Sequence, residues 1–544
     1  MKLAGESALA WWGVAAIATL VVLVYPTNSA TTCPALQSMC LLSEPVAFVV
    51  ILSIFVFLLL FVSRRDSFAL PSTILFTIVF FGFFLIRLYY PRNDELGSLQ
   101  ILQYILQTSR IPPTSSAIAW ESPSMPTFFV FSSTFQQATG MSPLLASSII
   151  RVCFPVALAI AILAISKKIL GKNYTAVTIL VLIGGYGFAD VFQFTPIYFG
   201  TVITFFLIYA FMTMRPESKY FVILSILAFS AIIAHIFMQI FVLPLVLSIA
   251  VYSRNDQIGS SIRRFILPIA AFTLIYDIYY VTQFGGWILS GLRQAQYLLY
   301  NFFFGADQSL IQSHTSLQPW WSVYTVYFWT AATAIGLVAT VLLYIRYKDR
   351  NPIALISALL AGTLSLFFLQ KGSGIVLTIF IWITPFALLS CFKYLRVAAK
   401  AGGHDRSIMA LMLIIAVVLV SPSFLTYNSV IYTQTVNPTD LVTIVFSETH
   451  LSPATSIYST YPNLIPSSAG SVIYPPGGDP ASTHRLILSF LDSGNSIFYI
   501  DYSRTLAAYE FNPGLNRASF VALFQPLSNS NLVYSTLTSV IYST

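Results

Sequence analysis

Long apolar runs, roughly 13 to 24 residues each, follow one another from Leu9 to Val420, most of them separated by short polar breaks. A bilayer core about 30 Å thick is crossed by about 20 helical residues, and it holds no water to satisfy bare peptide groups. Runs of this length, repeated, predict a bundle of about thirteen transmembrane helices. They begin with Leu9–Tyr25, Pro45–Val62 and Leu70–Tyr89 and continue through Leu145–Ile165, Tyr174–Phe188, Pro196–Met214, Tyr220–Ala234 and Phe237–Tyr252. Phe265–Val281, Trp321–Tyr344, Ile353–Phe368, Ile375–Leu389 and Ile408–Val420 complete the set. With 57% apolar and 8% charged residues in 544, the chain has too little charge to cover a water-exposed surface, which excludes a soluble enzyme.

The basic residues give the orientation. Arg64 and Arg65, Lys167, Lys168 and Lys172, Arg215 and Lys219, and Arg254, Arg263 and Arg264 fall in alternate connections between runs. So do Arg346, Lys348 and Arg350, and then Lys393, Arg396, Lys400 and Arg406. Together with Lys2 this places 18 of the 27 Lys and Arg on one face, which the positive-inside rule makes cytoplasmic. The net charge of +8 thus reads as a topology signal rather than a nucleic-acid footprint. The N-terminus falls inside, with no clear cleavable leader ahead of Leu9–Tyr25, and the C-terminal segment falls outside a cell membrane.

Three regions follow: an N-terminal hairpin over residues 1–66, a helical membrane domain over 67–423, and an extracytoplasmic C-terminal domain over 424–544. The membrane domain carries two long outer loops, 91–144 and 283–320. The C-terminal segment turns to Ser, Thr, Tyr, Pro and Asn, with strand-like runs Leu441–Phe446, Ser496–Ile500 and Ser539–Tyr542, so a small α/β unit is expected there. Cys33 and Cys40 share the first outer loop and are candidates for a small disulfide. Cys153 and Cys391 sit in or at the ends of spans and read as buried apolar side chains. No CxxC pair or HExxH is present to argue for metal-motif chemistry.

The stretch with most chemistry opens the first long loop, where Tyr89-Tyr90-Pro91-Arg92-Asn93 is followed by adjacent carboxylates, Asp94 and Glu95. Leu96, Leu99, Leu102, Ile105 and Leu106 then recur at helical spacing among polar residues, predicting an amphipathic helix lying along the bilayer. A turn with Pro112 and Pro113, a Pro123–Pro126 segment and a second aromatic interfacial helix from Phe128 to Phe135 follow. The chain re-enters at Gly140-Met141-Ser142-Pro143 and places Arg151 about two turns into the next span. A charge there is costly unless paired, so Arg151 is either a structural partner of Asp94 or Glu95 or a contact for substrate.

These residues resemble the GT-C superfamily of membrane glycosyltransferases, in particular its protein mannosyltransferase and aminoarabinose-transferase members. In that family an acidic residue or Asp-Glu pair just after an early span precedes two surface helices and a Gly…Arg re-entry. The matching positions are Asp94-Glu95, Thr108–Pro113, Pro123–Pro126 and Gly140–Arg151, and the hairpin Leu9–Val62 is an addition to the commonest pattern. The resemblance implies transfer of a sugar, with inversion, from a polyprenyl-phosphate carrier to a hydroxyl on protein, glycan or lipid at the outer face. Such chemistry needs a base for the acceptor proton and cations for the departing phosphate. Asp94 is the candidate base and Glu95 its helper, although either carboxylate also suits a helix N-terminus. Asp190, in the next outer connection, is the candidate for acceptor or metal binding. Lys371, Arg293 and Arg151 are candidates for donor phosphate. No particular cofactor is implied; a divalent metal, Mg or Mn, is compatible with the family.

His235 and Gln239, one turn apart at a helix break, and Asp277, near a span end, are polar at depths that mark a cavity. A buried histidine closing a helix break is the plainer reading of the first. Two other classes stay open from sequence: a transporter or flippase, for which His235 and Asp277 would line a route, and a non-catalytic membrane subunit. A glycan polymerase or ligase using Arg293 and His314 is a third.

Overall fold

The computed structural model describes residues 69–87, 93–112, 125–171, 174–186, 194–213, 218–235, 267–276, 385–397, 456–459, 472–473, 480–493, 496–501, 524–535 and 539–543, with scattered helical positions within 238–242 and 335–345. Seven helices come first: α1 (Ala69–Arg87), α2 (Asn93–Thr108), α3 (Pro126–Thr139), α4 (Pro143–Leu170), α5 (Tyr174–Tyr186), α6 (Pro196–Thr213) and α7 (Ser218–Ile232). The hairpin 1–66, the span Ile353–Phe368, the loop 283–320, Asp277 and Lys371 lie outside the described residues.

The hub is α4, against which α1, α5 and α6 pack side by side, with α2 and α3 seated on it as well. Its ends follow from local chemistry. The Ser142 hydroxyl accepts the Leu145 N–H at 3.4 Å, Pro143 occupies the first turn, where a missing N–H is harmless, and Gly171 ends the helix at φ +74°. At 28 residues α4 is about 42 Å long, enough to cross a bilayer and emerge from it. Lys167 and Lys168, expected in a connection, are its last turn, where cations meet the negative end of the helix dipole. Lys393 and Arg396 are likewise helical rather than loop residues. Arg396 Nη1 donates to the Leu170 carbonyl at 2.5 Å, closing the end of α4 from another helix.

The helices bury small polar residues among their apolar ones and leave aliphatics on the outside. On α1, Ser72, Thr73, Phe76 and Thr77 are buried while Leu70 and Ile78 are about half exposed. Likewise α4 buries Ser147, Arg151 and Ser166, and α6 buries Thr201 and Thr204. Val222, Ile223 and Ile226 of α7, with Leu267, Leu274, Ile335 and Val338, are exposed aliphatics. Several buried threonines close on their own helices: Thr77, Thr178, Thr201 and Thr204 each donate to the carbonyl four residues back at 2.7–2.8 Å. Aliphatic outside and small polar inside is the surface that lipid requires of a helix bundle. Among the described residues α4 and α6 are long and apolar enough to span a membrane by themselves.

Small residues set the closest approaches. A Cβ on Gly336 would stand 2.4–2.7 Å from Ala387, including its backbone, and one on Gly200 would meet Met238 Cγ at 2.7 Å. After α7 the helix stops, His235 is non-helical and buried, and Met238 N–H donates to its carbonyl at 2.9 Å. Cys153 departs from the sequence expectation: it is exposed, on the same outward face as the aliphatics, and Cys391 is half-buried.

Near the C-terminus the architecture changes to strands. Strands β1 (Ser456–Ser459), β2 (Val472–Ile473), β3 (Ser496–Asp501), β4 (Asn531–Ser535) and β5 (Ser539–Ser543) form one mixed sheet, in the order β2-β1-β3-β5-β4. The first three run parallel, and β5 pairs antiparallel with β3 and with β4. Helix α8 (Pro480–Leu491) connects β2 to β3 and places Leu486, Ile487 and Phe490 over Tyr458, Phe498 and Ile500. β3 and β5 match the expected runs at Ser496 and Ser539, whereas Leu441–Phe446 lies outside the described residues.

Candidate functional site

The acidic pair stands in the first turn of α2, one residue apart. The inward stripe of this helix is Glu95, Ser98, Ile101, Leu102 and Ile105, with Leu99 and Leu106 only partly covered. The apolar half of the expected stripe is therefore rotated towards the bundle, and a carboxylate shares the buried face. α2 stops at Thr108, where Ser109 takes φ +55° and donates its N–H to the Ile105 carbonyl at 2.7 Å.

Glu95 has no exposure to solvent, and its Oε1 lies 3.0 Å from Nε of Arg151, itself 1% exposed. The same oxygen accepts the backbone N–H of Phe194 at 2.6 Å. A buried carboxylate and a buried guanidinium are tolerable only as partners, and here each is the other's reason for being inside. Pro155, one turn past Arg151, lacks the N–H that would ordinarily bond the Arg151 carbonyl, so the α4 ladder is interrupted at the same level. The two contacts join the head of α2, the third turn of α4 and the chain just before α6, residues 56 and 99 positions from Glu95.

An aromatic cluster seats α3 on this junction. Phe128 packs on Phe194 at 4.8 Å and Phe199 at 6.0 Å between centroids, Phe154 of α4 meets Phe199 at 6.0 Å, and Phe131 stacks on Phe199 at 5.0 Å. α3 begins at Pro126 and ends at Gly140, φ +66°, so it is longer at both ends than the run from Phe128 to Phe135. Beyond the phenylalanines its buried face turns polar, with Ser132, Ser133 and Gln136, while Val130 and Phe131 are exposed.

Of the sequence candidates, the structure brings Glu95 and Arg151 together and buries His235 at the break after α7. Asp94 is helical, the residue before Glu95. Its side chain, like Asp190, Arg293, Lys371 and Asp277, falls outside the description. Among the described residues no three His, Cys, Asp or Glu side chains cluster. Sequence reading missed the Phe194 N–H, a backbone group that no residue identity announces. It also missed the polar inner face of α3, which could have been found from Ser132 and Gln136 falling four apart on an otherwise aromatic helix.

No family model and no curated protein matches the chain. Solved structures do. The oligosaccharyltransferase AglB of Archaeoglobus fulgidus, in complex with an inhibitory peptide and a dolichol-phosphate, superposes with a TM-score of 0.50 at 10% identity, over 87% of this chain and 74% of its own. Its apo form gives the same values. The likeness shows a fold shared with that oligosaccharyltransferase. ArnT from Cupriavidus metallidurans bound to undecaprenyl phosphate is a slighter likeness, with a TM-score of 0.46 at 11% identity over 87% of this chain and 98% of its own. At this identity the likeness speaks for the fold, and the chemistry has to come from the residues.

Proposed function

We propose that the chain is an integral membrane glycosyltransferase that moves a sugar from a polyprenyl-phosphate carrier to a hydroxyl acceptor on the outer face of the membrane. The observation that carries this reading is the Glu95–Arg151 pair buried at the head of α2 in a GT-C fold. It fixes the backbone on which Asp94 sits. A lipid-linked donor is supported by the dolichol-phosphate in the archaeal oligosaccharyltransferase complex.

In this scheme Asp94 is the base. Its carboxylate takes the acceptor proton as the hydroxyl oxygen bonds to the anomeric carbon, and the bond from that carbon to the phosphate oxygen breaks with inversion. The electron pair leaves on the phosphate, held by Lys371 and Arg293. Glu95, engaged by Arg151, is a positioning residue. Arg151 in turn compensates Glu95 and is not assigned to the phosphate. Asp190 lies four residues before Phe194, at most about 14 Å of extended chain from the point tied to Glu95. It is assigned to acceptor binding or to a divalent metal shared with Asp94. The thirteen-span topology and an extracytoplasmic α/β C-terminal unit complete the reading.

Transfer of radiolabelled sugar from a panel of polyprenyl-phosphate sugars, in membranes holding wild type or Asp94→Asn, tests it. Wild-type transfer that falls by at least about a hundredfold in the variant, at equal expression, is the expected result. Transfer that survives the substitution removes Asp94 as base, and no transfer from any donor returns the chain to the transporter or silent-subunit classes.

A further inference from the structure

We propose that the inner face of α3 is a subsite for the hydroxyl groups of a neutral glycosyl moiety. The inference rests on the glycosyl-transfer reading and names where part of its substrate is held. The observation is a set of buried polar atoms without hydrogen-bond partners: Oγ of Ser132, Oε1 of Gln136 and Oγ1 of Thr127 on α3, and Oγ1 of Thr195 beside Phe194. Ser132 is fully buried, and Gln136 and Thr195 are less than a tenth exposed.

Such groups are rare because burial removes their water and returns nothing. Elsewhere in the bundle many buried hydroxyls avoid this by donating to their own helix, as Thr77, Thr178, Thr201 and Thr204 do. On α3 itself, Ser133 donates to the Val130 carbonyl at 3.0 Å. Ser132 and Gln136 do not, although they lie one turn apart on one face. The helix exposes Val130 and Phe131 along with Thr134 and Gln137, and its buried face carries Ser132 and Gln136 beyond Phe128 and Phe129.

Position and chemistry identify the ligand class. Phe128, one turn before Ser132, packs on Phe194, whose N–H is bound by Glu95. Counting along the helix axis, Ser132 is about 6 Å and Gln136 about 12 Å beyond Phe128. The unpartnered atoms are an amide oxygen and three hydroxyls, uncharged, with acceptor capacity that wants an O–H donor. An anionic phosphate would call for cations; a sugar ring supplies several hydroxyls that donate and accept at successive positions. Those hydroxyls belong either to the sugar being transferred or to a glycan acceptor.

Kinetics on the full chain in nanodiscs tests this with Ser132→Ala, Gln136→Leu and the double variant. A polyprenyl-phosphate sugar and the same lipid phosphate without sugar serve as probes in parallel equilibrium binding. Gln136→Leu is expected to weaken the sugar-bearing lipid about tenfold, and the bare lipid phosphate not at all, if the donor sugar occupies the face. A rise confined to acceptor KM would assign the face to acceptor hydroxyls instead, still within the proposal. Neither variant should lower thermal stability without substrate, because an unpartnered polar group is being replaced by an apolar one. Lower stability with both affinities unchanged would reveal an internal network closed by water and overturn the proposal. Wild-type transfer with every variant unaffected sinks this inference alone. Wild type that binds and transfers no lipid-linked sugar sinks it together with the reading it rests on.

Discussion

The helical bundle buries a charged pair and a set of hydroxyls among its apolar side chains, whereas the described core cluster beside the C-terminal sheet is aliphatic and aromatic. On the sheet, Tyr458, Phe498 and Ile500 are covered by Phe490 and Ile487 of α8, an arrangement any water-soluble domain would recognise. In the bundle, Ser72, Thr201, Glu95 and Arg151 are inside, while Ile226, Leu267 and Leu274 are outside. One chain therefore obeys two solvation rules. Where water is the solvent, burying aliphatics drives folding; where lipid is, aliphatics gain little from being buried, and packing and hydrogen bonds must hold the helices together. That is why an ion pair can help hold the junction of α2, α4 and α6.

The sharpest way to break this comparison is to remove one member of the pair. Arg151→Met leaves the Glu95 carboxylate buried without its cation and is expected to cost about 3–5 kcal/mol, read as loss of folded protein in detergent-stability assays. Adding Glu95→Gln should restore part of that loss. A single variant as stable as wild type would mean that the pair does not hold the bundle.

A second test uses two equally exposed aliphatics, Ile226 on α7 and Leu532 on the edge strand β4, each 59% exposed. Ile226→Asp is expected to cost about 2.5–3.5 kcal/mol of membrane insertion or stability, because its surroundings are lipid. Leu532→Asp should cost about 1 kcal/mol or less. Equal effects at the two sites would erase the distinction between the regions.

The smallest effect concerns helix contacts. Gly336→Ala drives a methyl against Ala387 backbone and should destabilise by about 1–3 kcal/mol. Gly200→Ala meets the flexible end of Met238 and should cost less, which paired thermal denaturation would resolve.

Much of the helical architecture was legible because span length is imposed by bilayer thickness. α5, α6 and α7 fall within two residues of their apolar runs at each end, and α1 within two as well. The ends of α4 were not, since Lys167 and Lys168 read as loop from hydropathy yet belong to the helix by dipole and capping. The helix Pro480–Leu491 of the expected α/β unit was given no bounds, although Leu486, Ile487, Phe490 and Leu491 fall at helical spacing on one face. At the site, costly burial singled out Arg151 and the need for a partner, but not which carboxylate it would take.

What the sequence determined by itself was the solvent. Apolar runs of spanning length and basic clusters on alternate connections require a multi-helix membrane protein, because unsatisfied peptide groups and exposed charge are both intolerable in lipid. Only the tertiary structure decided that Arg151 pairs with Glu95, that Phe194 lends its N–H to the same oxygen, and that α3 turns Ser132 and Gln136 inward. These contacts join residues 56 and 99 positions apart, or depend on the rotation of a helix about its axis, and neither quantity is written in local composition.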